Sequence, residues 1–285
     1  MHPMLNIGVR AARAAGRVIT RNVERVDTLR IDVKGRNDFV SDVDRQAEAD
    51  IVAVLHRAYP DHAILGEESG ATGADDAEYR WIVDPLDGTT NFLHGLPHFS
   101  VSIALLRAGR PFQAVVYDPM RQELFTAGKG DGAYLDAKRI RVSGTGRLED
   151  ALLGTGFPYR TGQSLDFYQR TARHFTEASG GIRRLGSAAL DLAYVAAGRL
   201  DGCWLTGLSA WDVAAGALIV REAGGLVNDF DGGDAWMESG EVVAATPRVH
   251  HPMLEILRPL SAARRRMPDA PERTATRPRR TGSDA

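Results

Sequence analysis

The sequence predicts an α+β protein, on three observations. Two stretches near the N-terminus, residues 3 to about 22 and 41 to about 60, repeat apolar residues at helical spacing. Between residues 101 and 135, short apolar runs follow one another across glycine- and arginine-containing turns, the pattern of antiparallel strands. From Leu152 onward, short apolar runs alternate with longer helical stretches. At 285 residues, 44% hydrophobic and 25% charged, the chain can bury a sizeable core in one large or two fused domains. The change of pattern divides it into residues 1–150, 151–262 and a tail, 263–285.

In the first helix, Leu5, Val9, Ala12, Gly16 and Ile19 form the packing face, and Pro3 suits a first turn. A strand-like stretch, Thr28 to Lys34, and a loop, residues 34–38, follow. Ser41-Asp42-Val43-Asp44 opens the second helix, whose apolar face is Val43, Ala47, Ile51, Val54 and Leu55 and which ends near Pro60. Ser-x-x-Asp ahead of an apolar run has the form of a capping box, and an acid in a first turn suits the helix dipole, so capping alone accounts for Asp44. Ala63-Ile64-Leu65 reads as a short buried strand running into Gly66-Glu67-Glu68-Ser69-Gly70. Both glutamates can be exposed, or one can face inward as a metal ligand. Residues 71–79 form a polar loop of the kind that covers a site.

The central stretch is Trp81-Ile82-Val83-Asp84-Pro85-Leu86-Asp87-Gly88-Thr89-Thr90-Asn91-Phe92. A buried strand delivers two carboxylates at its end; Pro85, lacking an N–H, stops the ladder, Gly88 permits close backbone approach, and the Thr/Asn run caps a helix. Carboxylates held this close repel unless a cation separates them, and oxygen-only sites suit hard cations such as Mg2+. A helix start also offers N–H groups to a phosphate. By itself, Asp-x-x-Asp-Gly is ordinarily just a turn with a solvated carboxylate.

Val101–Leu106 and Phe112–Tyr117 pair as a hairpin across Arg107-Ala108-Gly109-Arg110, and Leu124–Ala127 and Ala133–Leu135 continue it across residues 128–132. That glycine cluster is too short and wrongly ordered for a P-loop. Next come a strand (Leu152–Gly156), a helix (about Leu165–Ser179), a strand (Ile182–Leu185), an alanine-rich helix (Ser187–Ala197) and a strand (Gly202–Leu205). Trp211-Asp212 opens a helix to Ala223, with Asp212 either an N-cap or a site acid. Strands at Leu226–Asp229 and Val242–Ala245 and a helix from near His251 complete the chain, which has no internal repeat.

Net charge is -2, yet Ser261–Ala285 holds seven arginines against three acids, so the body is mildly acidic and the tail basic. The tail from Met267 has too little apolar surface to offset ordering and is expected to be disordered; it aids solubility, with RNA or an acidic protein as the alternative contact. One cysteine, Cys203, excludes an intramolecular disulfide, and no zinc pattern is present. The N-terminal helix carries several arginines and no uninterrupted apolar core, so neither a signal peptide nor a membrane span is expected, and the location is cytoplasmic.

Together, Asp44, Gly66-Glu67-Glu68, Asp84-Pro85-Leu86-Asp87-Gly88-Thr89 and Trp211-Asp212 match the signature of the inositol monophosphatase family, and the resemblance runs from Met1 to about Leu260. It is fullest with the bacterial SuhB type, through residues 1–7, Lys34-Gly35, 37–40 and Gly186-Ser187-Ala188 to Arg199. The resemblance implies a layered α-β-α-β-α sandwich of the inositol monophosphatase and fructose-1,6-bisphosphatase type, a homodimer, sensitivity to lithium, and release of phosphate from small monoesters with two or three Mg2+ ions. It assigns Glu67, Asp84 and the Leu86 carbonyl to one metal and Asp84, Asp87 and Asp212 to a second, with Glu67 near a third. Asp44 and Thr89 resemble the pair that activates water, and Glu67 joins them as catalytic. The Gly88 and Thr89 N–H groups resemble the phosphate cradle, with Asp87, Ser187, Ala188 and position 205 on the substrate side.

One residue departs from the pattern. Leu205 stands where inositol-hydrolysing members carry a glutamate that receives substrate hydroxyls, and losing that acceptor costs on the order of 1–3 kcal/mol in recognition. The substrate is then inositol 1-phosphate or a similar monoester, with histidinol phosphate, sugar or nucleotide phosphates as alternatives. SuhB-type resemblance also implies a role in transcription antitermination and ribosomal RNA synthesis, with Arg183 and Arg184 as surface contacts to the elongation machinery. The ordinary reading of that pair is a solvated edge or a dimer contact.

Overall fold

The structure is a computed structural model that describes residues 2–26, 31–35, 38–158 and 163–266. Expectations for residues 27–30, for Arg36 and Asn37, and for the tail 267–285 lie outside the described residues. Five layers are stacked. Helices α1 (Pro3–Asn22) and α2 (Asp42–Ala58) pack side by side and cover one face of an eight-stranded sheet. The strands of that sheet are β3 (Ala63–Gly66), β4 (Gly70–Thr72), β5 (Tyr79–Asp87), β6 (Ser100–Arg107), β7 (Arg110–Asp118), β8 (Glu123–Gly128), β9 (Gly132–Leu135) and β10 (Lys138–Arg139), in the order β10-β9-β8-β7-β6-β5-β3-β4. Only β3 and β5 run parallel. The other neighbours are antiparallel, as short connections require. A separate hairpin, β1 (Ile31–Gly35) and β2 (Asp38–Ser41), leads into α2.

The middle layer is α5 (Ala188–Ala196) and α6 (Ala210–Glu222), packed against each other and against both sheets. Every residue of α6 from Asp212 to Val220 is buried, as are Ala189–Ala193 of α5. A helix apolar on all sides has no solvent face to offer and must lie inside. Beyond it lies a five-stranded sheet, β12 (Gly181–Arg183), β11 (Leu152–Thr155), β13 (Gly202–Leu205), β15 (Val242–Ala245) and β14 (Leu226–Asn228), in that order. Here β11 is parallel to β12 and β13, while β15 is antiparallel to β13 and β14. Helices α4 (Leu165–Ala178) and α8 (Pro247–Arg266) close the outer face, with the short helices α3 (Thr89–Leu93) and α7 (Trp236–Ser239) at the edges. This is the layered sandwich the sequence led to.

Several boundaries move for physical reasons. The strand expected at Trp81–Val83 extends through Pro85 to Asp87, because the ladder to β6 is interrupted by a bulge between Asp84 and Asp87 and not ended there. The β6–β7 turn is tighter than its four-residue reading: Ala108 and Gly109 alone connect the strands, both with positive φ (47° and 75°). The strand read at Ile182–Leu185 is Gly181–Arg183. The last helix starts at Pro247, a favoured first-turn residue, and reaches Arg266, so residues 263–266 are helix and not tail. Among the described residues, no helix is long and apolar enough to cross a membrane.

Candidate active site

Strand β5 buries Trp81, Ile82 and Val83 and then turns acidic, with Asp84 and Asp87 both buried. Residues three apart on a regular strand face opposite sides. The bulge at Pro85 and Leu86 cancels that alternation and brings the two carboxylates to one side. Leu86 N–H donates to Asp84 Oδ1 at 2.9 Å and fixes the bend. Asp212 arrives from the first turn of α6, and carboxylate oxygens of Asp84, Asp87 and Asp212 lie within 4.8 Å of one another. Glu67, directly after β3, lines a cavity of about 150 Å³ together with Asp84 and Asp87 but stands outside the three-acid group.

Burial, then the charges of Glu67, Asp87 and Asp212, hold the Asp84 carboxyl well above the usual range. Burial likewise raises Asp87, to about 6, against hydrogen bonds that favour its ionised form. Those bonds come from the Ser187 hydroxyl (2.6 Å) and the Ala189 N–H (2.7 Å), both at the start of α5. The Ser187 hydroxyl, taken from the sequence as a substrate contact, is thus committed to Asp87 and also caps α5. Ala188 lies between these donors and lines the cavity.

Asp44 satisfies both of its readings at once. Its Oδ2 accepts from the Ser41 N–H (2.9 Å) and hydroxyl (2.5 Å) in a capping box, while its Oδ1 accepts from the Thr89 hydroxyl at 3.1 Å. Burial raises its pKa. Asp212 repeats the device, its Oδ2 accepting the Ser209 N–H at 2.6 Å in a second capping box. The threonine cap expected for the helix after Asp87 is absent. Gly88, in the left-handed conformation (φ 100°), caps α3 instead, and a Cβ there would stand 3.2 Å from the carbonyl oxygens of Gly186 and His98. The Thr89 hydroxyl therefore serves Asp44 and the Leu86 carbonyl, 3.0 Å away. Asn91 ties α3 to the opposite half by donating to the carbonyls of His98 (2.7 Å) and Leu185 (2.9 Å).

The outer half of the cavity is formed by Phe157, Gln163, Arg184, Leu205, Thr206 and Leu208. Leu205, only 2% exposed, presents an apolar wall. The two arginines taken together from the sequence part company: Arg183 is exposed on the edge strand β12, whereas Arg184 lines the cavity with its guanidinium 5.2 Å above the Phe157 ring. Sequence reasoning missed Asp191, buried on α5 beside the cavity and raised well above the usual carboxyl range by burial and by Asp87. It also missed Glu48, although its i, i+4 spacing from Asp44 on an otherwise apolar helix face was a signal.

Buried carboxylates gathered this tightly, with the Leu86 backbone beside them, form the donor set of a hard divalent cation and fit one well. A layered α-β-α-β-α sandwich holding such a set beside a helix start defines a metal-dependent phosphatase. The chain belongs to the inositol monophosphatase family, whose sequence profile matches residues 1–261. It is 54% identical to the Nus factor SuhB of Pseudomonas aeruginosa over 263 residues, covering 91% of this chain and 97% of that protein. It superposes on the extragenic suppressor protein SuhB of Bartonella henselae with a TM-score of 0.87 at 45% identity, covering 90% of this chain and 98% of that one. An inositol monophosphatase from Anabaena matches with a TM-score of 0.77 at 39% identity, covering 90% and 97%.

Proposed function

We propose that this chain hydrolyses small phosphate monoesters, inositol 1-phosphate among them, using Mg2+, and that it works as a homodimer sensitive to lithium. The observation that carries the reading is the convergence of Asp84, Asp87 and Asp212, up to 128 residues apart in the chain (212 against 84), with Asp84 and Asp87 lining one cavity together with Glu67 and Thr89. Glu67, Asp84, the Leu86 carbonyl, Asp87 and Asp212 would hold two or three ions. Bound ions supply Lewis acidity, making water a nucleophile near neutral pH and offsetting charge on the leaving oxygen. Thr89 and Asp44 form the proton path: the hydroxyl, 3.1 Å from Asp44 Oδ1, accepts the water's proton as it passes its own to the carboxylate. The backbone N–H groups of Gly88 and Thr89 would receive the ester's phosphate oxygens.

Leu205 supports a substrate range wider than inositol phosphate, since an apolar wall offers no acceptor to ring hydroxyls. A panel of inositol 1-phosphate, histidinol phosphate, fructose bisphosphate and adenosine bisphosphate with Mg2+ ranks the substrates. Asp87→Asn is expected to release almost no phosphate from any of them; undiminished turnover would remove Asp87 from the machinery. A second reading, a SuhB-like part in transcription antitermination, is supported by 54% identity to a Nus factor and by exposed Arg183 on an edge strand. Retention of elongation factors by the purified chain at physiological salt, lost in Arg183→Ala, tests it; no retention would count against it.

A further inference from the structure

One buried acid on α2 lies outside the three-acid group. Glu48 lies one turn after Asp44 on α2 and is 2% exposed. Its two oxygens accept from consecutive backbone N–H groups of the β3–β4 turn: Oε2 from Glu68 at 2.9 Å and Oε1 from Ser69 at 2.7 Å. The chain entering that turn passes directly over the carboxylate. A Cβ added at Gly66 would lie 2.6 Å from the Glu48 carboxyl carbon, closer than carbon atoms pack, so glycine at 66 is what admits Glu48. Glu67 sits between these two points of attachment, and its own N–H donates to the Val83 carbonyl at 3.1 Å, on the strand residue before Asp84. Its backbone is therefore gripped by β5 on one side and by Glu48 on the other.

We propose that Glu48 is a positioning residue for Glu67, holding the 66–69 turn so that the Glu67 carboxylate faces Asp84 and Asp87. Helix α2 then serves both sides of the site through two acids four residues apart: Asp44 orients the Thr89 hydroxyl, and Glu48 orients the Glu67 arm. Without Glu48, the part-buried Glu68 and Ser69 N–H groups lose their acceptor and the turn relaxes toward solvent. Glu67 then loses the fixed orientation that makes a ligand effective, the usual consequence of removing a group that orients a ligand from behind.

This inference rests on the metal-site reading above, and Mn2+ binding to the full chain separates the two. The wild type is expected to bind Mn2+ in calorimetry; a wild type that binds none overturns the metal-site reading itself. If the wild type binds, Glu48→Gln, which keeps the shape but turns an N–H2 toward an N–H, is expected to weaken Mn2+ binding about 10-fold, and Glu48→Ala up to about 100-fold. Gly66→Ala, displacing an intact Glu48, should produce the same defect. In a Glu67→Gln background, Glu48→Gln is expected to add little, because the two act through one ligand. A Glu48 variant that melts at lower temperature yet binds Mn2+ like the wild type, or losses that add in full to those of Glu67→Gln, would overturn the positioning role.

Discussion

Asp84→Asn tests the electrostatics of the site without disturbing its shape. Asparagine is isosteric, and its Oδ1 continues to accept the Leu86 N–H now 2.9 Å from Asp84 Oδ1. The change removes one negative charge from three carboxylates whose oxygens lie within 4.8 Å. At that separation and an effective dielectric constant near 20, each ionised pair costs about 3.5 kcal/mol. Burial and the neighbouring charges already push the Asp84 carboxyl well above the usual range, so this pairwise figure is an upper bound on the relief. In the metal-free protein each kcal/mol of relief raises the melting temperature by about 2–4 °C. The wild type is expected to gain about 2.7 kcal/mol from Mg2+ at a hundred times its dissociation constant, while the variant gains almost nothing. Thermal melts in EDTA and in Mg2+ read both effects: the variant starts higher and no longer responds. A variant that melts lower in EDTA and still shows the full Mg2+ response would refute the reasoning.

Three further expectations follow from particular contacts. Thr89→Val removes the hydroxyl between Asp44 and the Leu86 carbonyl, so kcat should fall about 10²-fold or more while Mn2+ affinity is kept; equal losses in both would deny it a proton-transfer role. Leu205→Glu restores an acceptor to the outer wall and should raise kcat/KM for inositol 1-phosphate relative to histidinol phosphate by about 5- to 100-fold, read in the substrate panel, at some expense in stability for burying an acid. Far from the site, burial and the neighbouring Arg258 and His251 lower His250 to about 4, against about 6.5 when unfolded. Because the folded protein resists protonation there, the contribution is intact above pH 6.5 and is lost at up to about 1.4 kcal/mol per pH unit as pH falls toward 4. His250→Gln should flatten that part of the pH–melting curve, and an unchanged slope would assign it to other groups.

Much of the architecture was legible because burial leaves a compositional mark. The uninterrupted apolar run from Val213 to Val220 could only be an interior helix, and the turn at Ala108-Gly109 lies inside the four residues read as a hairpin. The acids of the site were individually ambiguous for a physical reason: Asp44 and Asp212 are capping residues, yet Asp44 also accepts from Thr89 and Asp212 also joins Asp84 and Asp87, so each local pattern was complete without the other role. Long-range partners carried no local signal. Ser187 meets Asp87 across a separation of 100 residues, and Asn91 meets Leu185 across 94. The bulge at Pro85 was missed because a proline in a strand ordinarily signals its end, whereas here it turns Asp87 to the side of Asp84. Arg183 and Arg184 are neighbours in sequence but only one lines the cavity, a distinction set by the edge of β12 and invisible in composition.

The central claim is that these separated acids form one metal centre. Crystals soaked in Mn2+ and measured at its absorption edge test it directly. Anomalous peaks within coordination distance of carboxylate oxygens of Asp84, Asp87 and Asp212, with at least one peak reached by Glu67, are the result expected. A fully Mn2+-exposed crystal with no peak among these residues, or with its peaks on other acids, would contradict the account.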